Sequence, residues 1–262
     1  MPSEGKYIYC IIDAGEERDF GPIGIGGRGD MVHSVVFEDI AAVVSDSLIV
    51  KYSISREYTM AHMKVMEMAM NDFTILPVKF GTIAPGSNSR SSEERIKHEI
   101  LEARYRELKD LLNRMCNRME LGLKAIWMNI ETIYHEILDE NRDIRILKRR
   151  IVSRNPGQVQ SQRMGLGEMV KKALDAKRAK EEAEILKTMK GVYYELRHNK
   201  VFGDSMVTNT AFLVDDSQID EFDNIIERLE STYDGRTKFK YVGPVPPCNF
   251  VELVITLKEK KD

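Results

Sequence analysis

Gly24-Ile-Gly-Gly-Arg-Gly29 has the G-x-G-x-x-G spacing that cradles the pyrophosphate of a dinucleotide on backbone amides. That chemistry needs the glycines to leave a strand at once and open a helix, whose N-terminus then meets the phosphates. Here residues 14–23 intervene after the first strand-like run, and Met31 to Phe37, which follow, are β-like. The stretch 21–29 is therefore expected to be a flexible, glycine-rich connection, and an enzyme using it for a nucleotide is the reading set aside. The other reactive residue types are scattered. His33, His62, His98, His135 and His198 lack metal-ligand spacing. Cys10, Cys116 and Cys248 are far apart, odd in number and without a C-x-x-C pair, which argues against a disulfide framework or a zinc site and for buried, inert thiols in a reducing cytoplasm. Asp215 and Asp216 form a tempting acid pair, but they stand at a helix start, where the dipole favours anions without any catalysis. No P-loop, G-x-S-x-G or H-E-x-x-H occurs. Neither catalytic residues, nor a metal, nor a cofactor is expected.

Charge points to one further feature. The chain has 262 residues and a net charge of -3, so it carries no global attraction to nucleic acid. Residues 142–190, however, hold fourteen Lys/Arg against six Asp/Glu. This region reads first as a solvated helical face laced with ion pairs, second as a surface for an acidic partner. An RNA-binding module is the alternative function it allows, although no aromatic RNA-binding motif accompanies it. No apolar run is long enough to cross a bilayer, and the segment from Met1 to Lys6 lacks the apolar core of a secretory signal.

The elements around these residues read as an α+β chain. Lys6–Asp13 is a strand, and Val32–Phe37 with Ile40–Ser45 reads as a hairpin turning at Glu38-Asp39. A helix capped by Ser53 or Ser55 follows; its His62 falls on or beside the apolar stripe and is expected to be packed and hydrogen-bonded. The run Thr74–Ile83 is short, apolar and β-prone, the pattern of a strand covered on both faces, with Pro77 awkward in its middle. Ser91 and Glu94 make a capping box for a helix reaching about Arg118. This first half suits a mixed or antiparallel sheet with helices on one side. In the second half Leu121–Met128 is a strand with Trp127 turned to the core, and helical patterns cover residues 130–151 and 168–197, with Asn155-Pro-Gly157 as a break and residues 158–167 as a loop. Met206–Val214, a helix over 219–229 and Thr237–Val242 complete a second α+β unit of ferredoxin-like flavour, before Gly243-Pro-Val-Pro-Pro-Cys-Asn-Phe250, an extended and stiff segment.

Four separated stretches resemble the GvpF/GvpL family of gas vesicle proteins. Tyr7-Ile-Tyr9 with Ile40-Ala-Ala-Val-Val-Ser-Asp46 is similar to the family's opening, and Leu76-Pro-Val-Lys-Phe-Gly-Thr82 to its central motif. Asn209–Val214 with Ile219–Phe222 resembles its late strand-helix step, and Gly243–Val251 its closing motif, although Val245 and Cys248 stand where the family usually carries aromatics. The resemblance implies two α+β domains, over residues 1–119 and 120–242, and a Pro-rich C-terminal tail over 243–262. It implies a non-catalytic, minor structural or assembly component of gas vesicles in the cytoplasm, which contacts the small, hydrophobic major shell protein and other vesicle accessory proteins. The helix holding Met60, Met63, Met66, Met68 and Met70 has more methionine than one stripe can bury; an all-round buried helix is the commoner explanation, and the alternative is exposed methionine, which adapts well to apolar partners. Met63, Met70, Pro244, Pro246, Pro247 and Phe250 are the residues expected to meet a partner.

Overall fold

The computed structural model describes residues 5–48, 51–86, 90–153 and 160–257. The expected break at Asn155-Pro-Gly157 lies outside the described residues. The chain divides into two compact units, one of residues 1–120 with 244–262 and one of residues 121–243.

The first unit is built on β1 (Gly5–Ile12), which pairs antiparallel with β4 (Ile40–Ser47) on one side and with the short β5 (Ile75–Pro77) and β6 (Ile83–Ala84) on the other. Next to β4 lies β3 (Val32–Phe37), and beyond it β2 (Asp19–Gly21), giving the order β2-β3-β4-β1-β5. The β3–β4 hairpin turns at Glu38-Asp39 as expected, with Phe37 opposite Ile40 and Glu38 at φ +54°. β1 and β4 are buried along nearly their whole lengths, so both faces of the sheet are covered. Helices on one side alone, the pattern expected of this half, do not account for that. On one face α1 (Arg56–Met70) lays Val65, Met66 and Ala69 over Tyr7, Tyr9, Ile12, Ala41 and Val43. The second cover begins at α2 (Ser92–Arg95), where Ser91 and Glu94 form the full capping box, continues in π-helical geometry over Ile96–Glu102 and ends in α3 (Tyr105–Met115). Ile96, Ile100, Leu101, Leu108, Leu112 and Met115 are its buried apolar residues.

In the second unit β7 (Arg118–Trp127), β8 (Glu195–His198), β9 (Met206–Asp215) and β10 (Thr237–Val245) form a sheet in the order β10-β7-β9-β8. Between β7 and β8 come α4 (Ile130–Glu140), α5 (Arg142–Val152) and α6 (Gln160–Thr188), and between β9 and β10 comes α7 (Ile219–Thr232). Strand, helices, strand, strand, helix, strand in that spatial order is the ferredoxin-like split β-α-β pattern. Trp127 is 2% exposed in the core with Phe212, Phe222 and Ile185.

The run expected as one strand over Thr74–Ile83 is instead the two short strands β5 and β6, and three boundaries around the helices of the second unit also differ from the sequence expectation. The pattern over 130–151 is two helices parted at Asn141, and residues 160–167, expected as a loop, are already helical in α6. The pattern continued to Arg197 ends at Thr188 instead, where Gly191 (φ +95°) turns the chain and Tyr194 N–H donates to the Leu213 carbonyl to start β8. β8 was invisible as a strand because Glu195, Arg197 and His198 look like one more solvated helical turn; the ladder with β9 makes it a strand.

Candidate functional site

Residues 75–84, which the sequence marks out most strongly, are held in place by side chains from two other elements. The Gly81 N–H donates to the Tyr7 hydroxyl over 3.0 Å, and that hydroxyl lies 3.0 Å from His62 Nδ1. The His62 ring also bonds to the backbone of Val78. Strand β1, helix α1 and the 78–81 backbone are thus joined by one buried polar chain inside an aromatic cluster, with Tyr9 stacked on His62 and Phe80 edge-on to both Tyr7 and His62. Burial pushes the Tyr7 hydroxyl up and the His62 imidazole down, to about 4, so the ring is neutral at neutral pH. His62 is the packed, hydrogen-bonded histidine its place on the stripe predicts.

Pro77 is explained by what lies on its outer side. Val78 donates to the Tyr9 carbonyl of β1, whereas the Pro77 carbonyl and the Lys79 N–H face away from the sheet. There they take Leu253: its N–H donates to Pro77 O over 2.8 Å and its carbonyl accepts from Lys79 over 3.0 Å, a single parallel bridge. Proline is tolerated at this edge because the donor it lacks would serve that outer ladder. The chain ending thus packs on the first unit. Glu120 anchors it further: its carboxylate accepts from the Asn249 N–H (2.8 Å) and the Asn249 side-chain amide (2.5 Å), and Phe250, Leu253, Pro246 and Pro247 are buried. Burial raises the Glu120 carboxyl above its usual range, and the two Asn249 bonds oppose that. Of the closing motif's expected contact residues, only Pro244 is exposed. On α1, Met63 and Met70 are partly buried against the core, and the exposed methionines are Met60 and Met68. The structure therefore does not bring the expected contact residues onto one open face.

The glycine loop is committed to the fold. The Ile25 N–H donates to the Tyr9 hydroxyl, the Gly24 N–H to the Asp30 carbonyl and the Gly27 N–H to the Gly24 carbonyl, so three of the loop's amides are engaged within the fold. A Cβ on Gly24 would sit 2.8 Å from Asp30 Cβ and 3.1 Å from Ser45 Oγ, which explains a glycine there by close packing. Among the described residues no group of three or more His, Cys, Asp or Glu side chains has metal-binding geometry. Cys10 is buried, but Cys116 and Cys248 are exposed, a correction to the expectation that all three thiols are buried.

The sequence model of the gas vesicle synthesis proteins GvpL/GvpF matches residues 5–252. The chain belongs to that family. It is 24% identical to gas vesicle protein F1 of Halobacterium salinarum over 262 residues, covering 99% of this chain and 98% of that protein. It is 26% identical to gas vesicle protein F of a Streptomyces species, covering 94% of this chain and 99% of that protein. In three dimensions it is similar to the crystal structure of GvpF from an Anabaena species, with a TM-score of 0.81 at 20% identity over 96% of this chain and 99% of that one. The crystal structure of GvpF from Microcystis aeruginosa gives 0.74 at 21% identity over 95% and 99%. Those likenesses establish the α+β fold of two antiparallel sheets with helices that the sequence predicts for this GvpL/GvpF chain.

In this family member the basic stretch 142–190 is not uniform. On α6, Lys177 is paired with Glu136 (2.9 Å) and Glu140 (2.7 Å), and Arg178 with Asp175 and with the carbonyls of Gly203, Asp204 and Met206. These cations are structural. They join a network in which Arg236 grips Glu136 through both oxygens and reaches Glu181 (3.2 Å), whose other oxygen accepts from Thr237. Arg236, then Lys177, holds the Glu136 carboxyl down to about 2, with partial burial opposing. Arg236→Met is expected to lower stability by about 2–3 kcal/mol, because it leaves Glu181, 6% exposed, with only a hydroxyl partner; the partly open site keeps the cost below that of a fully buried pair. Urea unfolding measures this, and an unchanged midpoint would show that water replaces the guanidinium.

Proposed function

We propose that the protein is a non-catalytic, minor structural or assembly component of gas vesicles, which binds the small hydrophobic major shell protein while the shell is built. Family membership over residues 5–252 carries this reading. A shell subunit with an apolar, gas-facing surface needs partners that cover that surface until it polymerises. The ridge Met60, Met63, Met70 on α1 offers such cover: Met60 is 61% exposed, Met63 follows it at i+3, and Met70 stands two turns beyond Met63 on the same side of the helix. Ile54, 89% exposed, stands just before the Ser55 cap. Unbranched thioether side chains mould themselves to irregular apolar partners. Pro244 is exposed apart from this ridge, and Pro246, Pro247 and Phe250 hold the chain ending in place. The protein then acts at the gas vesicle in the cytoplasm, without a cofactor and together with other vesicle proteins.

Co-expression with the major shell protein, followed by affinity capture of this chain, tests the reading. The two proteins are expected to co-purify. Met60→Lys is expected to fold as the parent does and to retain about a tenth or less of the captured shell protein, since an apolar anchor is replaced by a strongly hydrated charge. Met63→Lys and Met70→Lys are expected also to cost about 1–3 kcal/mol of stability, because both side chains touch the core. Folded parent protein that captures no shell subunit would overturn the proposal.

A further inference from the structure

We infer that the groove between α4 and α5 is a docking site for an acidic amphipathic helix of a partner protein. The groove has a volume of about 440 Å³ and is lined by His135, Leu138 and Asp139 of α4, by Arg145, Lys148, Arg149 and Val152 of α5, and by Ser153. The spacing within each helix is the important point. Arg145, Lys148, Arg149 and Val152 stand at i, i+3, i+4 and i+7, one stripe of α5, and His135, Leu138 and Asp139 stand at i, i+3 and i+4 of α4. Helix α5 already has its inward stripe, with Ile144 and Ile151 buried. The second stripe therefore has no packing duty, yet it ends in an apolar residue, Val152, that is 79% exposed.

The charges are equally unspent. Arg145 has only a long contact of 3.9 Å to Asp139, and among the described residues no carboxylate pairs with Lys148 or Arg149. This contrasts with Lys177 and Arg178 on α6, which are fully engaged within the unit. Three cations beside one carboxylate, the exposed Val152 and the partly buried Leu138, in a channel bounded by two helices, match a third helix. Such a helix lays an apolar residue between Leu138 and Val152 and places Asp or Glu, one turn apart, against Arg145 and Arg149. Nucleic acid is a poorer match: no Phe, Tyr or Trp lines the groove to stack a base, only the small imidazole of His135, and the floor is apolar where a phosphate backbone would run. This inference does not rest on the shell-protein reading, which concerns α1; a failed capture of the shell protein leaves it standing.

The test uses the full chain and a fluorescein-labelled peptide of about 20 residues, long enough to form a helix, with leucine at i, i+3, i+4, i+7 spacing and glutamate flanking each leucine. A peptide of the same composition in scrambled order is the control. Fluorescence anisotropy is expected to show saturable binding of the first peptide, at least about tenfold tighter than the scrambled one and weakened by salt. The triple variant Arg145→Glu, Lys148→Glu, Arg149→Glu is expected to bind at least about thirtyfold more weakly, and Val152→Asp about fivefold, with unchanged circular dichroism because all four side chains face solvent. Three outcomes would overturn the inference: no binding by the parent protein, equal binding of the scrambled peptide, or tighter binding of a single-stranded RNA of similar length that the triple variant loses.

Discussion

Acidification from pH 6.5 to about 4 is expected to remove about 3 kcal/mol of stability through His62 alone. The ring is 4% exposed, and burial holds it neutral in the folded protein down to about 4, whereas the unfolded chain takes up the proton near 6.5. Between these values the unfolded state binds more protons than the folded one, so stability falls as pH falls. Above 6.5 the contribution is complete, and below 4 nothing further is lost. The geometry says why the fold resists the proton: charging Nδ1 removes the acceptor facing the Tyr7 hydroxyl, amid Tyr9 and Phe80, and among the described residues no carboxylate is bonded to the ring. Other groups titrate nearby. Glu136, held low, adds its own loss only below its ordinary value near 4.5, and Glu120, raised by burial, works in the opposite direction. A substitution therefore isolates the effect. His62→Asn keeps a neutral acceptor near Nδ1 and cannot be charged. It is expected to be less stable than the parent at pH 7 and to lose the slope between pH 6.5 and 4.5. Equal slopes in urea unfolding of the two proteins would assign the pH dependence to the carboxylates instead.

That histidine was legible as a packed one, since its stripe on α1 is apolar. What it touches was not legible, because Tyr7 is fifty-five residues away and only strand pairing brings it there. The same division runs through the molecule. Local signals were readable: the Ser91–Glu94 capping box, the alternation before Trp127, and the hairpin around Glu38, even though glutamate is a poor residue for its positive φ. Elements fixed by a partner were not. Strand β8 exists because β9 offers a ladder, and α6 begins at Gln160 although Gly165 and Gly167 read as loop residues. The methionine surplus on α1 is compatible with exposed methionine or with a helix buried all round, and helical phase alone does not say that Met60 and Met68 are the exposed pair and that Met63 and Met70 lean on the core. The two-faced cation pattern of 142–190 was likewise hidden. Glu136, Glu140 and Asp175 neutralise Lys177 and Arg178 on α6, and among the described residues nothing comparable reaches the outer stripe of α5.

Phe250→Ala is expected to cost about 3–4 kcal/mol, the usual range for emptying a buried aromatic site, and to release the chain ending before the rest of the first unit unfolds. Phe250 is 7% exposed, and it stands between the two attachments of this segment: Asn249 on the Glu120 carboxylate and Leu253 on the edge of β5. With the ring gone, neither attachment is pinned by packing, and each must meet its own ordering entropy. The alternation of the strand makes the consequence specific. The Lys79 N–H donates outward to Leu253, whereas the Val78 N–H donates inward to Tyr9. Hydrogen exchange in the variant should therefore accelerate at Lys79 and Leu253 by about a hundredfold or more, while Val78 keeps protection close to that of β1. A variant in which Val78 and Lys79 exchange in step would mean that the chain ending is an integral strand of the sheet, unfolding only with it. The expected split would mean that Pro77 marks an edge built to receive a separable segment: it denies the outer ladder one donor and keeps that segment to a single bridge.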